Sequence, residues 1–174
     1  MPSATSPELR NPWRAFLVDV YKRLPLSIEI HCLGGFVAAL YYDLPRPTND
    51  LDYIEVVPHD AMATVQEVAG GDSALARKHR VHFQHVGVAS LPESYAERRR
   101  LRLFALDPHD LALSKLNRNS PIDREDVAQL ARAVPLHASL LRTRYRRELR
   151  PIIIGDPELH DRTLEMWIQA YFRS

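Results

Sequence analysis

The chain is poor in cysteine, lysine and glycine, and it has no long apolar run. Cys32 is its only cysteine, which excludes an internal disulfide and any zinc site built from several thiolates. No apolar stretch approaches the roughly 20 residues that a helix needs to cross a bilayer. The opening residues, MPSATSPELRNPW, show no basic stretch followed by an apolar one. No secretory signal is therefore expected, and the default expectation is a cytoplasmic protein. Neither sign of charge is in excess. Lys and Arg number 23 against 22 Asp and Glu, a formal net charge of +1, so the overall balance selects no partner. Lysine is scarce, with only Lys22, Lys78 and Lys115 beside twenty arginines, and each lysine is the more conspicuous for it. Six glycines occur, four of them in the adjacent pairs Gly34-Gly35 and Gly70-Gly71.

What is present is the composition of a soluble globular protein, 45% hydrophobic and 26% charged over 174 residues, enough for one domain or for one compact core with an appended helical part. Arginines cluster at Arg98, Arg99, Arg100 and Arg102, and again at Arg142, Arg144, Arg146, Arg147 and Arg150. Such runs are most often solvated helix faces and less often phosphate-binding patches. Up to Leu106 the pattern alternates between strand and helix. Helical spacing marks PWRAFLVDVYKRL, AMATVQEVAG and SALARKH. Strand alternation marks LSIEIHCL, DLDYIEVV, RVHFQHVGVA and LRLFAL, and PESYAERRR reads as a short helix or turn. From residue 107 every periodic segment is helical: PHDLALSKLNR, DREDVAQLARAV, HASLLRTRYRREL and ELHDRTLEMWIQAYF. The expectation is an α+β fold, with a small mixed twisted sheet of four or five strands in residues 1–106 and a helical segment in 107–174.

The informative stretch is LGGFVAALYYDLPRPTNDLDYIEV, Leu33 to Val56. Asp50 and Asp52 are two apart at the start of a strand, so both carboxylates project to one side, with Cα atoms roughly 6.5 Å apart. Such a pair suits a hard divalent cation, Mg²⁺ above all, which takes one or two carboxylates together with substrate phosphates. Taken alone, the pair reads more simply as Asp50 capping a turn and Asp52 facing solvent on an edge strand. Gly34-Gly35 lies between a strand and a helix, where a tight turn needs glycine and where bare backbone lets an anion approach. Together the two features form a layout for a metal–triphosphate complex.

These residues resemble the nucleotidyltransferase superfamily, the fold shared with polymerase β, whose motif is a Gly-Gly or Gly-Ser turn followed by a strand carrying Asp-x-Asp. A closer likeness is to small bacterial members related to the AbiEii toxins, which read Gly-Gly-x-Ala and then Arg-x-Thr-x-Asp-hydrophobic-Asp. Here RPTNDLD supplies Arg46, Thr48, Asp50 and Asp52. Val37 stands at the alanine position, and the spacing before Arg46 is a residue longer. A second patch, HDLALSKLNRNSPIDREDV, is similar to the helix that follows in those relatives and contains Asp110, Lys115, Arg118, Asp123 and Asp126. Lys115 and Arg118 share a helix face. By residue type alone, Lys115 also reads as an exposed helix lysine, and Asp123 as an N-cap with Asp126 in the first turn.

The resemblance implies transfer of a nucleotidyl group from an NTP to an acceptor. Mg²⁺ or Mn²⁺ would sit on Asp50 and Asp52. The nucleotide would meet Gly34, Gly35, Arg46, Thr48, Lys115 and Arg118. The acceptor could be tRNA, protein or a small molecule, and an antitoxin-like protein partner and a toxin-like role follow by analogy. The superfamily also carries a third carboxylate on a following strand. RVHFQHVGVAS has none, so Asp107 is the first substitute, ahead of His82. The alternative is a nucleotide- or partner-binding protein without catalysis on the same fold.

Overall fold

The computed structural model describes residues 10–45, 47–85 and 101–172, and the fold is α+β. The described residues fall into two compact units. One takes the chain up to Tyr41 and then Pro45–Ala105; the other takes Tyr42–Leu44 and the chain from Leu106 onward.

In the first unit, helix α1 (Trp13–Arg23) buries Trp13, Phe16, Leu17 and Val20, a three-to-four-residue spacing that makes one apolar stripe. It ends at Leu24, which is extended because Pro25 follows. Strand β1 (Ile28–Leu33) buries alternate residues, Ile28, Ile30 and Cys32. Helix α2 (Gly34–Leu40) follows directly, and strand β2 (Asp50–Val57) returns antiparallel to β1. A bulge interrupts the β1–β2 register between His31 and Cys32. Helices α3 (Met62–Ala69) and α4 (Ala74–His79) then cross over to strand β3 (His82–His85), which runs parallel to β2. Parallel neighbours require such a crossover; the antiparallel β1 and β2 do not, although α2 lies in their connection. Strand β4 (Leu101–Ala105) pairs parallel with β1, giving the order β3-β2-β1-β4.

Core residues lie on one face of this sheet. Phe16 meets Phe83 at 5.9 Å between ring centres, Tyr53 meets Phe83 at 4.6 Å, and Trp13 meets Phe36 edge-on at 5.0 Å. Each fully buried ring contributes about 2–3 kcal/mol by leaving water. Asp19 on α1 joins Lys78 at 2.7 Å and His79 at 2.9 Å on α4, and their hydrogen bonds hold its carboxyl at about 2. Residues of opposite parity, among them Glu29, His31, Asp50 and Asp52, face away from that core.

The second unit is helical: α5 (Pro108–Ser114), α6 (Pro121–Ala133), α7 (Ala138–Arg144) and α8 (Pro157–Tyr171). The segment expected as one helix after His137 instead leaves α-geometry at Tyr145, widening to a π-turn over Tyr145–Leu149 and then a 3₁₀ turn at Arg150–Ile152. Its arginines are largely neutralised. Arg142 grips Glu165 with two bonds of 2.8 and 2.6 Å, Arg144 bridges Asp107 and Asp110 at 2.8 and 2.7 Å, and Arg150 clasps Asp161. No helix among the described residues is long and apolar enough to cross a membrane. PESYAERRR, with its arginine run, and the end of the expected third strand lie outside the described residues.

Candidate functional site

The glycine turn and the carboxylate strand meet. The β1–β2 register sets Leu33 opposite Asp52, so the residue that ends β1 is the cross-strand neighbour of the second carboxylate. The chain then turns at Gly34 with φ +71°, a left-handed backbone that L side chains rarely adopt. A Cβ on Gly34 would lie 2.5 Å from Asp52 Oδ2. Gly34 therefore has both a conformational and a steric reason to be glycine, and the steric one is Asp52 itself. A Cβ on Gly35 would come within 3.3 Å of Thr48 Oγ1. With seven residues, α2 has only a short dipole, so closeness of bare backbone matters more here than the helix end.

Thr48 shapes the entry to β2. Its hydroxyl accepts from Asp50 N–H at 3.1 Å and reaches Asp50 O at 3.2 Å, a short turn closed by its own side chain. Trp13 Nε1 donates to Thr48 O at 2.8 Å, tying that turn to α1. Asp50 is exposed and Asp52 half-buried. Gly34, Gly35, Thr48, Asp50 and Asp52 are thus assembled in the sheet unit; Arg46 lies outside the described residues.

The strand beside Asp50 and Asp52 is β3, in parallel register, with His82 opposite Asp50 and Gln84 opposite Asp52. Gln84 Nε2 donates to Asp52 Oδ1 at 2.7 Å. Sequence reasoning passed over Gln84. Its only signal was the two-residue spacing from His82, which puts both on one side of β3. His85 is engaged elsewhere, its Nε2 lying 3.1 Å from Ile54 O.

Asp107, Lys115 and Arg118 belong to the helical unit. Asp107 is the N-cap of α5: its Oδ1 accepts from His109 N–H at 2.9 Å and lies 3.0 Å from His109 Nδ1. Burial pushes the Asp107 carboxyl up, but the His109 bonds and the Arg144 charge outweigh it and leave it below the ordinary range. Lys115 is not the exposed helix lysine that its residue type suggests: α5 ends at Ser114 with Lys115 as its C-cap, so Lys115 and Arg118 lie in the following turn and do not share a helix face. It is 7% exposed and donates to the buried Asp126 at 2.7 Å, with Asp123 Oδ1 3.9 Å away. Arg118 binds both Asp123 oxygens, at 2.7 and 2.6 Å. Ser120, rather than Asp123, is the N-cap of α6; Asp123 stands at the third helical position and closes a capping box with it. Burial raises the Asp123 carboxyl, and the Arg118 and Ser120 hydrogen bonds more than reverse that, to well below the usual carboxylate range.

Do these residues suit a metal? Among the described residues no three His, Cys, Asp or Glu side chains gather as a ready cage. Asp50 and Asp52 nevertheless project to one side, and the Asp52 oxygen not held by Gln84 faces the glycine turn. That donor set suits Mg²⁺ or Mn²⁺ arriving with substrate phosphates, which complete the coordination that two carboxylates leave open.

A mixed sheet whose glycine turn abuts an Asp-x-Asp strand is the arrangement of the nucleotidyltransferases. Residues 25–166 match the model of a nucleotidyltransferase family of unknown function, DUF6036, and the chain belongs to that family. No curated protein and no solved structure matches it.

The contact between turn and strand gives a direct check. Gly34→Ala should cost about 1–2 kcal/mol from the left-handed backbone alone, with further loss as Asp52 is displaced. Gly71→Ala, where an added Cβ meets nothing within 4 Å, is the control. Urea denaturation of both variants tests this; equal midpoints would rule out both the left-handed turn at Gly34 and its close approach to Asp52.

Proposed function

We propose that the protein is a metal-dependent nucleotidyltransferase that moves a nucleotidyl group from an NTP to an acceptor. The observation that carries this reading is the approach of Gly34 to Asp52 Oδ2, because one triphosphate must touch both a phosphate turn and a metal-bearing carboxylate. Asp50 and Asp52 would hold Mg²⁺ or Mn²⁺, which when bound neutralises phosphate charge and polarises the oxygens of the displacement. Gly34 and Gly35 would meet the phosphates through their backbone, next to Asp52. Thr48 fixes the start of β2, so Asp50 and Asp52 are presented from a rigid strand. Arg46, Lys115 and Arg118 complete the proposed nucleotide-binding set.

In the transfer, an acceptor oxygen or nitrogen forms a bond to the α-phosphorus, the bond to the bridging oxygen breaks, and pyrophosphate leaves. The acceptor's proton goes to a base, for which Asp107 is the candidate. Its Oδ1 is held by His109 and Arg144, so Oδ2 would be the oxygen that takes the proton. The resemblance to the AbiEii toxins extends the proposal to a toxin-like role with an antitoxin-like partner, and to tRNA, protein or a small molecule as acceptor.

A second reading, a nucleotide-binding protein without catalysis, is favoured by one observation: the neighbour of Asp52 on β3 is a neutral amide. Pyrophosphate release separates the two. Each NTP with Mg²⁺ or Mn²⁺ is offered with tRNA, total protein or small hydroxyl and amino compounds. Release with any acceptor supports the enzyme, and Asp107→Asn should then lower release while sparing nucleotide binding. Nucleotide binding without release in any combination supports the second reading.

A further inference from the structure

On the nucleotidyltransferase reading, the surroundings of Asp52 set how many cations the carboxylate pair accepts. The two oxygens of Asp52 have different surroundings. Oδ1 receives the Gln84 Nε2 donor at 2.7 Å. A carboxylate accepts and only the amide nitrogen can donate, so the Gln84 amide has one possible orientation. Oδ2 is the oxygen that a Cβ on Gly34 would strike, so it borders the turn proposed for the phosphates. A carboxylate that bridges two cations gives one oxygen to each. On Asp52 the Gln84 N–H already occupies Oδ1 and competes with a second cation there.

Charge points the same way. Two divalent cations in a paired site lie about 3.5–4 Å apart and repel strongly unless anionic ligands stand between them. β3 contributes no carboxylate: His82 is opposite Asp50 and Gln84 opposite Asp52. Among the described residues no third acid joins the pair. We propose that Gln84 is the positioning residue of Asp52 and, as a neutral amide where a second cation would need a carboxylate, leaves the site with a single divalent cation, held through Asp50 and Asp52 Oδ2 and shared with the triphosphate.

The test counts metal directly and needs no acceptor. The full chain is dialysed to equilibrium against Mn²⁺ with the α,β-methylene analogues of ATP, GTP, CTP and UTP in turn, and Mn²⁺ bound per chain is measured by elemental analysis. Wild type should hold one Mn²⁺. Gln84→Glu, which replaces the donor by a carboxylate, should hold two. Gln84→Leu should hold one, bound about tenfold more weakly, the low end of what partners of ligating groups contribute. Two Mn²⁺ on wild type, an unchanged count in Gln84→Glu, or undiminished affinity in Gln84→Leu overturns the inference while leaving the nucleotidyltransferase reading in place. If Gln84→Glu does not fold, the wild-type count and the Gln84→Leu affinity decide. Absence of bound Mn²⁺ on wild type with every analogue overturns both.

Discussion

Replacing Asp52 by asparagine should abolish most of the rise in melting temperature that Mg²⁺ and an NTP together give the wild-type protein. A ligand that binds only the native state at a hundred times its dissociation constant adds about 2.7 kcal/mol. For a chain of 174 residues, that is a rise of roughly 5–10 °C, at about 2–4 °C per kcal/mol. Asparagine retains an oxygen that can accept from Gln84, so the 2.7 Å bond to β3 survives and the sheet keeps its neighbour. The negative charge is lost, and with it the oxygen that faces the Gly34 turn as an anion. The variant alone should melt within about 2 °C of wild type, since Asp52 is half-buried and its fold contact persists. Scanning fluorimetry with metal, nucleotide and both together measures each part. A wild-type shift that Asp52→Asn retains in full would place the metal elsewhere; the absence of any wild-type shift would remove the metal–nucleotide site itself.

Lys115→Ala should instead act mainly on stability, costing about 3 kcal/mol, near the lower end for breaking a buried ion pair. An exposed helix lysine would cost almost nothing. The ammonium sits 2.7 Å from Asp126 Oδ2, with both residues buried at 7% and 3% exposure. Lys115→Met retains most of the apolar stem and should lose nearly as much, because the charge is what matters. Denaturant titration measures the loss. NTP affinity must then be taken well below the melting temperature of each variant, so that a phosphate-binding role of Lys115 is not confused with unfolding. A midpoint for Lys115→Ala equal to that of wild type would show that the lysine does not support the helical unit.

The residues that were legible in the sequence are those whose roles depend on local geometry. Gly34-Gly35 between an alternating strand and a helical run, and Asp50 and Asp52 on one side of the next strand, follow from periodicity and turn chemistry alone. The crossover that makes β3 parallel to β2 follows from the helical segments between them. The Gln84–Asp52 bond does not, because it requires the inter-strand register to within one residue. Lys115 was visible as a scarce lysine on a helix, but its burial against Asp126 depends on how α5 and α6 pack. The capping box of α6 was written in SPID, with serine three before an acid and proline between, although Asp123 looked the better cap because it begins the next helical pattern. The second arginine run looked like a solvated or phosphate-binding face. Its partners Glu165 and Asp161 are on α8, and no local rule connects them with Arg142 and Arg150.

The path of the chain between its two units has a consequence for biosynthesis. Tyr42–Leu44 are part of the helical unit, although the residues on either side build the sheet unit. The Tyr42 hydroxyl donates to Leu106 O at 2.8 Å, across 64 positions of sequence. At about 5–20 residues per second, the ribosome makes that intervening length in roughly 3–13 s. Throughout that interval Tyr42 and Leu44 have been synthesised but the rest of the unit they belong to has not. Strand β1 waits for a similar interval for its parallel partner β4, since Ile28 pairs with Leu101. The nascent chain therefore carries an unpaired strand edge and an uncovered Leu44 at the same time, the kind of exposed surface that makes a folding intermediate prone to association.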